Sequence, residues 1–402
     1  MRTVSISFIM GCPRSGMDTA MLFNYFRANG WRVTNRIGDA DLVLLAGCAF
    51  SNYVESKSFK YIALAMKKKQ PEVPAVAIGC LPGICETRLT EQFDVIPLSR
   101  ANLHRLDDIC QSQIKVNDIR DDNVPEATLH LAESSFGLLD RLRVRLSMAK
   151  DYYLKGLLQC YVGAGEKSIY PSEGLYSIRL ARGCLEDCSY CAIKLASGTL
   201  KSKPLGLIMD EFKAGLSQGY KTFRLVAEDV GAYGQDTGTS IADLLGELFS
   251  QKGDFRLTWT DFHPRWLVKY FHELRAALAD NPARMASVGF PVQSGSQRIL
   301  DRMARAYDIK EVQSCLKGLK EACDGLPITT HALVGFPGET QEDFAQTIGL
   351  LDSIGFRGIE IYDYSPRPNT KALEFTDRVS NLQTWMRAWQ LCKRFRHAIV
   401  IQ

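Results

Sequence analysis

The stretch Ile178-Arg179-Leu180-Ala181-Arg182-Gly183-Cys184-Leu185-Glu186-Asp187-Cys188-Ser189-Tyr190-Cys191 decides the reading of this 402-residue chain. A strand candidate, Tyr176–Ala181, runs into a CxxxCxxC loop. Three thiolates on one short loop can hold three corners of a [4Fe–4S] cube and leave one iron without a protein ligand. An open iron of that kind can chelate the amino and carboxylate groups of S-adenosylmethionine (SAM). One electron from the cluster then cleaves the sulfonium to a 5′-deoxyadenosyl radical, which abstracts hydrogen from strong C–H bonds. Zinc is the alternative ligand of a cysteine pair, but it calls for a fourth Cys or His, and none lies close in sequence.

Outward from this loop the pattern alternates strand and helix. Strand candidates are Tyr176–Ala181, Thr222–Ala227, Arg256–Thr260, Ala286–Phe290, Ile328–Val334 and Gly358–Tyr362, with helices between them. Such βα units predict a parallel, barrel-like sheet with its chemistry at the carboxyl ends of the strands. The tail after about residue 378 reads as one helix, Leu382–His397, with a short apolar end.

The first third is a second α/β pattern. Val4–Ile9, Leu42–Ala46 and Pro74–Ile78 are apolar strands, with helices at Met17–Asn29 and Ser56–Lys69. Cys12, Cys48 and Cys80 each follow a strand candidate and a glycine, more than 30 residues apart. In a parallel sheet the carboxyl ends share one edge, so these thiols are expected to converge, with glycine permitting close backbone approach. Three buried thiols capping strands is the alternative. Between the two patterns, Asp118–Pro125 reads as a linker, Leu138–Gln159 as a basic helix and Gly163–Gly174 as a loop. The helix is either a solvated face beside a domain seam or a substrate-facing lid.

Length argues for two domains, and 46% hydrophobic with 23% charged residues is an ordinary globular composition. A net charge of +4 suits an anionic partner without demanding nucleic acid. No apolar run has the length of a membrane span and no signal peptide opens the sequence, so a cytoplasmic location is expected. Twelve cysteines in that compartment point to metal rather than disulfides. Cys85, Cys110, Cys160, Cys315, Cys323 and Cys392 lack motif context and are expected to be small buried hydrophobes.

Further segments complete a resemblance. They are Tyr233-Gly234, His263-Pro264, Pro291-Val292-Gln293-Ser294-Gly295-Ser296, Met303-Ala304-Arg305-Ala306-Tyr307, Gly335-Phe336-Pro337-Gly338-Glu339-Thr340 and Tyr364-Ser365-Pro366-Arg367-Pro368. With the cysteine loop, their order over Ile178–Ala372 resembles the catalytic domain of the radical-SAM methylthiotransferases of the MiaB and RimO type. Gly11-Cys12-Pro13-Arg14-Ser15, Gly47-Cys48-Ala49 and Gly79-Cys80-Leu81-Pro82 resemble that family's amino-terminal domain, nearer the RimO variant. The resemblance implies a small α/β domain with a parallel sheet over 1–115, a linker with an inserted helix over 116–174, a radical-SAM partial (β/α)6 barrel over 175–375 and a helical tail over 376–402.

It also implies the cofactors and site residues. Cys184, Cys188 and Cys191 would hold the radical-SAM cluster, and Cys12, Cys48 and Cys80 an auxiliary [4Fe–4S] cluster. Gln293, Ser294 and Arg305 would hold the SAM ribose and carboxylate, an Arg fork suiting a carboxylate. Tyr190 and the backbone at Gly335-Phe336 would line the adenine. Glu228 would meet the SAM ammonium or form an ordinary salt bridge. The first cluster would generate the radical, the second would present sulfur, a second SAM would methylate it, and a flavodoxin- or ferredoxin-type donor would supply electrons.

Departures from the family pattern lie on the substrate side. No carboxy-terminal TRAM barrel is expected, and the interdomain segment is long. Glu228-Asp229 stands for Gln-Asp or Gln-Asn, His331 for an acid, Asn369 for a glycine and Ser197-Gly198 for Arg-Gly. These departures point to methylthiolation of a small molecule or peptide. The alternatives are a tRNA 2-methylthio transferase without its barrel, thiolation without methylation, and a non-enzymatic electron carrier.

Overall fold

The computed structural model describes residues 1–9, 12–120, 135–151 and 174–401. Met10, Gly11, the 121–125 part of the linker, the 152–159 part of the basic helix, Cys160 and the 163–173 loop lie outside the described residues. The chain divides into two compact units. The first comprises 1–153 together with 192–198 and 366–369; the second comprises 154–191, 199–365 and 370–402.

The first unit is a five-stranded parallel sheet of β1 (Thr3–Phe8), β2 (Arg32–Thr34), β3 (Leu42–Gly47), β4 (Ala75–Gly79) and β5 (Ile96–Ser99), in the order β2-β1-β3-β4-β5. Strands β2 and β5 are additions to the sequence reading. The first is short and half exposed, and the second carries Pro97, which suits an edge. One face packs Leu42, Leu44 and Val76 on Leu22, Tyr25 and Phe26 of α1 (Pro13–Ala28). The other packs Val43, Leu45 and Ala77 with Ile62 and Ala65 of α2 (Asn52–Lys68) and Leu81 and Leu89 of α3 (Cys80–Gln92). Burial on both faces explains the uninterrupted apolar strands. Each fully buried Leu or Val contributes about 1.5–3 kcal/mol.

The basic helix, α4 (Leu138–Asp151), packs on α2 through Val144 and Met148. Lys60 donates to Ser147 at 2.6 Å, and Tyr61 meets Phe136 at 4.7 Å between ring centres.

The second unit opens with β6 (Leu175–Arg179). A short antiparallel pair, β7 (Ala181–Arg182) and β8 (Lys201–Ser202), brackets the cysteine loop. Then follow β9 (Thr222–Val226), β10 (Arg256–Trp259), β11 (Met285–Gly289), β12 (Ile328–Val334), β13 (Gly358–Asp363) and β14 (Ala398–Val400). The main sheet is parallel, in the order β14-β13-β12-β11-β10-β9-β6. It has one strand more than the expected six. The tail helix ends at Arg394, and the short apolar end of the helical tail is a strand: Ala398-Ile399-Val400 pairs with Ile359–Ile361 at the sheet edge. Among the described residues no helix is long and apolar enough to cross a membrane.

Candidate functional site

In the first unit the strand order reverses between β1 and β3, the switch point where parallel sheets hold ligands beyond their carboxyl ends. Cys12 caps α1 there, its Sγ accepting from the Ser15 amide at 3.4 Å. Cys48 follows β3. Its amide donates to the buried Ser58 hydroxyl at 3.1 Å, which in turn donates to the Cys48 carbonyl at 2.9 Å. Cys80 opens α3 directly after β4.

Cys48 senses both of the other thiols. Cys48 is raised well above its ordinary pKa, first by the Cys80 thiol hydrogen-bonded to it, then by burial and by the Cys12 charge. Two of the glycines make a close backbone approach to each other. Gly47 and Gly79 are register partners, and a Cβ at Gly79 (φ +102°) would sit 2.6 Å from the Gly47 carbonyl. They approach each other, which brings the ends of β3 and β4 together.

Beside this trio lies a charge cluster that the sequence reading did not include. Arg367 donates to Asn52 Oδ1 at 2.7 Å, forms a buried ion pair with Glu55 and contacts Cys85 Sγ at 3.6 Å. Glu55 also accepts from Arg88 and from the Cys85 thiol, the latter at 3.2 Å. Cys85 is therefore buried as expected but hydrogen-bonded rather than merely packed. A pair separated by 312 positions leaves no local signal in sequence.

In the second unit the cysteine loop is anchored at Ser189. Its amide donates to the Met303 carbonyl at 2.9 Å, its hydroxyl to the Arg302 carbonyl at 2.8 Å, and it accepts from the Ala372 amide at 2.8 Å. Cys184 accepts from the Glu186 amide at 3.4 Å. Its thiol pKa is raised by burial first and then by Asp229, with smaller contributions from Cys191 and Cys188. Burial likewise raises Cys188, and the Arg305 charge opposes it.

Arg305 is brought to the loop by Ala304, which takes the left-handed conformation at φ 54°. Its Nη1 donates to Tyr190 Oη at 3.2 Å and to Cys188 Sγ at 3.8 Å, Nε to Tyr307 Oη at 3.0 Å and Nη2 to the Pro291 carbonyl at 2.7 Å. Tyr190 also lies edge-on to Phe336 at 6.4 Å. The structure thus joins Cys184, Cys188, Cys191, Tyr190, Arg305 and Phe336.

The remaining residues stand as follows. Gln293 adopts φ 64°; its amide donates to the His331 carbonyl and its carbonyl accepts from Leu333, both at 2.8 Å, so it spans to β12. Ser294 is fully buried, and its hydroxyl is spent on Thr347 at 3.3 Å and on the Ser296 amide at 3.2 Å. The Gly335 amide donates to Glu339 at 2.8 Å, holding the Gly-Phe-Pro-Gly turn. Glu228 follows β9 beside Asp229.

Asp229 is a residue whose importance the sequence reading missed. It is buried and accepts from the His263 amide at 3.0 Å, the Trp266 indole at 2.6 Å and the Gly231 amide at 3.0 Å. Burial pushes its pKa up to about 6, against these hydrogen bonds. His263 is held well below its ordinary value by burial and then by Arg305 and Arg265, so it is neutral. The His263-Pro264 pair was a visible signal, but its connection to Asp229 required the fold. Among the described residues no three or more His, Cys, Asp or Glu side chains close around a single-ion site. The fit to a larger centre rests on the mutual proximity within each thiol trio.

Comparison with known proteins agrees with this division. Residues 178–351 match the radical SAM superfamily model, and residues 5–98 match the uncharacterized protein family UPF0004. A tRNA-2-methylthio-N(6)-dimethylallyladenosine synthase of Endomicrobium trichonymphae is 27% identical over 98% of this chain and 82% of its own length. A probable threonylcarbamoyladenosine tRNA methylthiotransferase of Pyrococcus horikoshii is 27% identical over 91% of this chain and 77% of its own. The corresponding MtaB enzyme of Thermotoga maritima is 36% identical over 48% of this chain and 44% of its own. All three names specify tRNA, whereas the residue departures had pointed to a small molecule or peptide. A structure of the radical SAM methyltransferase TsrM from Kitasatospora setae superposes with a TM-score of 0.61 at 14% identity, covering 92% of this chain and 74% of that one, a likeness of fold alone. The chain thus carries a radical SAM domain preceded by a UPF0004 domain and is similar to methylthiotransferases along nearly all of its length.

Proposed function

We propose that the chain transfers a methylthio group to an unactivated C–H position of a tRNA nucleoside. The observation that carries this reading is the tRNA substrate named for relatives that align with more than nine-tenths of the chain. Cys184, Cys188 and Cys191 hold one [4Fe–4S] cluster, and Cys12, Cys48 and Cys80 hold the other. When bound, the clusters and SAM supply one-electron cleavage of the sulfonium and the sulfur to be inserted. An external donor of the flavodoxin or ferredoxin type provides the electron.

The chain's own side chains bind and orient. Tyr190 and Phe336 form an aromatic corner suited to a purine face. Gln293, held by β12 in a left-handed turn, offers its side-chain amide to a hydroxyl or carboxylate. Glu228, at the carboxyl end of β9, suits an ammonium. Ser294 stabilises the turn beneath them. Asp229 orders the His263–Trp266 segment through its three accepted hydrogen bonds.

A second reading, a small molecule or peptide as substrate, is favoured by one observation. His331 Nε2 lies 3.3 Å from Glu360 Oε2, and the Tyr362 hydroxyl donates to the same oxygen at 2.5 Å. His331 stands where the family resemblance leads one to expect an acid.

The test is anaerobic turnover of the reconstituted protein with tRNA. Expected products are methionine, 5′-deoxyadenosine, S-adenosylhomocysteine and a tRNA nucleoside heavier by one methylthio substitution. Binding is expected to weaken steeply with salt, because phosphate contacts release counterions. Salt-insensitive or undetectable tRNA binding would discard the tRNA reading in favour of the second. Modified product without S-adenosylhomocysteine would mean thiolation alone.

A further inference from the structure

Five arginines among the described residues are buried: Arg100, Arg179, Arg305, Arg367 and Arg387. Arg100, Arg367 and Arg387 each hold a carboxylate. Arg100 donates to Asp18 at 2.7 Å, Arg387 to Glu339 at 2.6 Å, and Arg367 pairs with Glu55. Arg305 holds none. Its partners are two tyrosine hydroxyls, the Pro291 carbonyl and the Cys188 sulfur. The nearby Glu186 is engaged instead with Arg265 at 2.7 Å, and neighbouring His263 is neutral. A desolvated guanidinium without a counter-charge is costly, so the site is built for a negative charge that a ligand must bring.

The direction of the guanidinium indicates which ligand. Four of its five N–H groups are already committed. A two-oxygen grip on a carboxylate would require breaking one of them, whereas one Nη1 hydrogen already faces the sulfur of Cys188. Hydrogen bonds and positive charge at a cluster's cysteine sulfurs favour the state with the extra electron.

We propose that Arg305 is a positioning residue for the radical-SAM cluster: it donates to the Cys188 sulfur and raises the cluster's reduction potential, rather than clamping the SAM carboxylate. The inference rests on the reading that Cys184, Cys188 and Cys191 hold a cluster, but not on the identity of the substrate.

The test is an EPR-monitored redox titration of the full-length, anaerobically reconstituted protein. The radical-SAM signal is identified by its change when SAM is added. Arg305→Met and Arg305→Gln both remove the charge, and either suffices if the other does not load iron. Each is expected to lower the midpoint by at least about 59 mV, a tenfold loss in the one-electron reduction equilibrium. The SAM dissociation constant is expected to change by less than that factor. Arg305→Lys, which keeps the charge but not the fork, is expected to recover part of the shift. An unchanged or raised midpoint would overturn the proposal, as would loss of SAM binding with the midpoint intact, which would place the guanidinium on the carboxylate. Absence of a SAM-responsive signal in the unsubstituted protein would instead defeat the cluster reading itself.

Discussion

The two thiol trios are built in opposite ways. In the second unit all three cysteines sit on one eight-residue loop, Cys184–Cys191, pinned at Ser189 by three hydrogen bonds. In the first unit Cys12, Cys48 and Cys80 come from three strand ends. Local sequence creates the first arrangement; only the register of a parallel sheet creates the second. The strand-end trio therefore inherits the stability of its whole unit, while the loop trio depends on its anchor at Ser189.

The largest effect expected from this contrast is a split between two losses. Cys184→Ala is expected to abolish SAM cleavage and with it all product. Cys48→Ala is expected to preserve cleavage to 5′-deoxyadenosine while abolishing sulfur insertion, measured by chromatography of both products. Equal loss of cleavage in the two variants would break the division. Next comes the buried ion pair. Arg367→Met leaves Glu55 without its buried partner, and breaking such a pair costs about 3–5 kcal/mol. Thermal unfolding is expected to shift down, and iron is expected to be lost from the strand-end trio before the loop trio.

The third effect sharpens the picture of the second unit's scaffold. Burial raises the pKa of Glu339 from 4.5 to about 6, with Arg387 and the Gly335 amide opposing. A group raised on folding contributes stability that is complete below its unfolded value and lost as pH rises through its folded one. Between about pH 4.5 and 6 the protein is thus expected to lose roughly 2 kcal/mol that Glu339→Gln does not lose, read from denaturation midpoints at several pH values. A parallel pH profile in the variant would contradict this assignment. The smallest effect is Gly79→Ala. Its φ of +102° and the 2.6 Å approach to the Gly47 carbonyl predict a cost of about 1 kcal/mol or more, with weakened cluster loading in the first unit alone.

The contrast also explains what the sequence made legible. The CxxxCxxC spacing is local and stands in the sequence. The Gly-Cys steps were readable because apolar runs end at them and parallel strands share an edge. What was not readable is that Gly47 and Gly79 also serve each other's close approach, because their register pairing appears only in the folded sheet. Long-range charge left no trace in sequence, so Arg367–Glu55 and the hydrogen bonds to Asp229 were missed, although Arg367 and the His263-Pro264 pair stand in motif-bearing segments. The strand Ala398–Val400 was too short to distinguish from an apolar tail until a sheet edge was there to receive it.

The most direct test is an iron count after anaerobic reconstitution of the unsubstituted protein and of the Cys12→Ala/Cys48→Ala/Cys80→Ala variant. Two separate cubes predict about eight irons falling to about four, with the remaining EPR signal still responsive to SAM. A variant that keeps all its iron, or an unsubstituted protein that never exceeds four, would contradict the account.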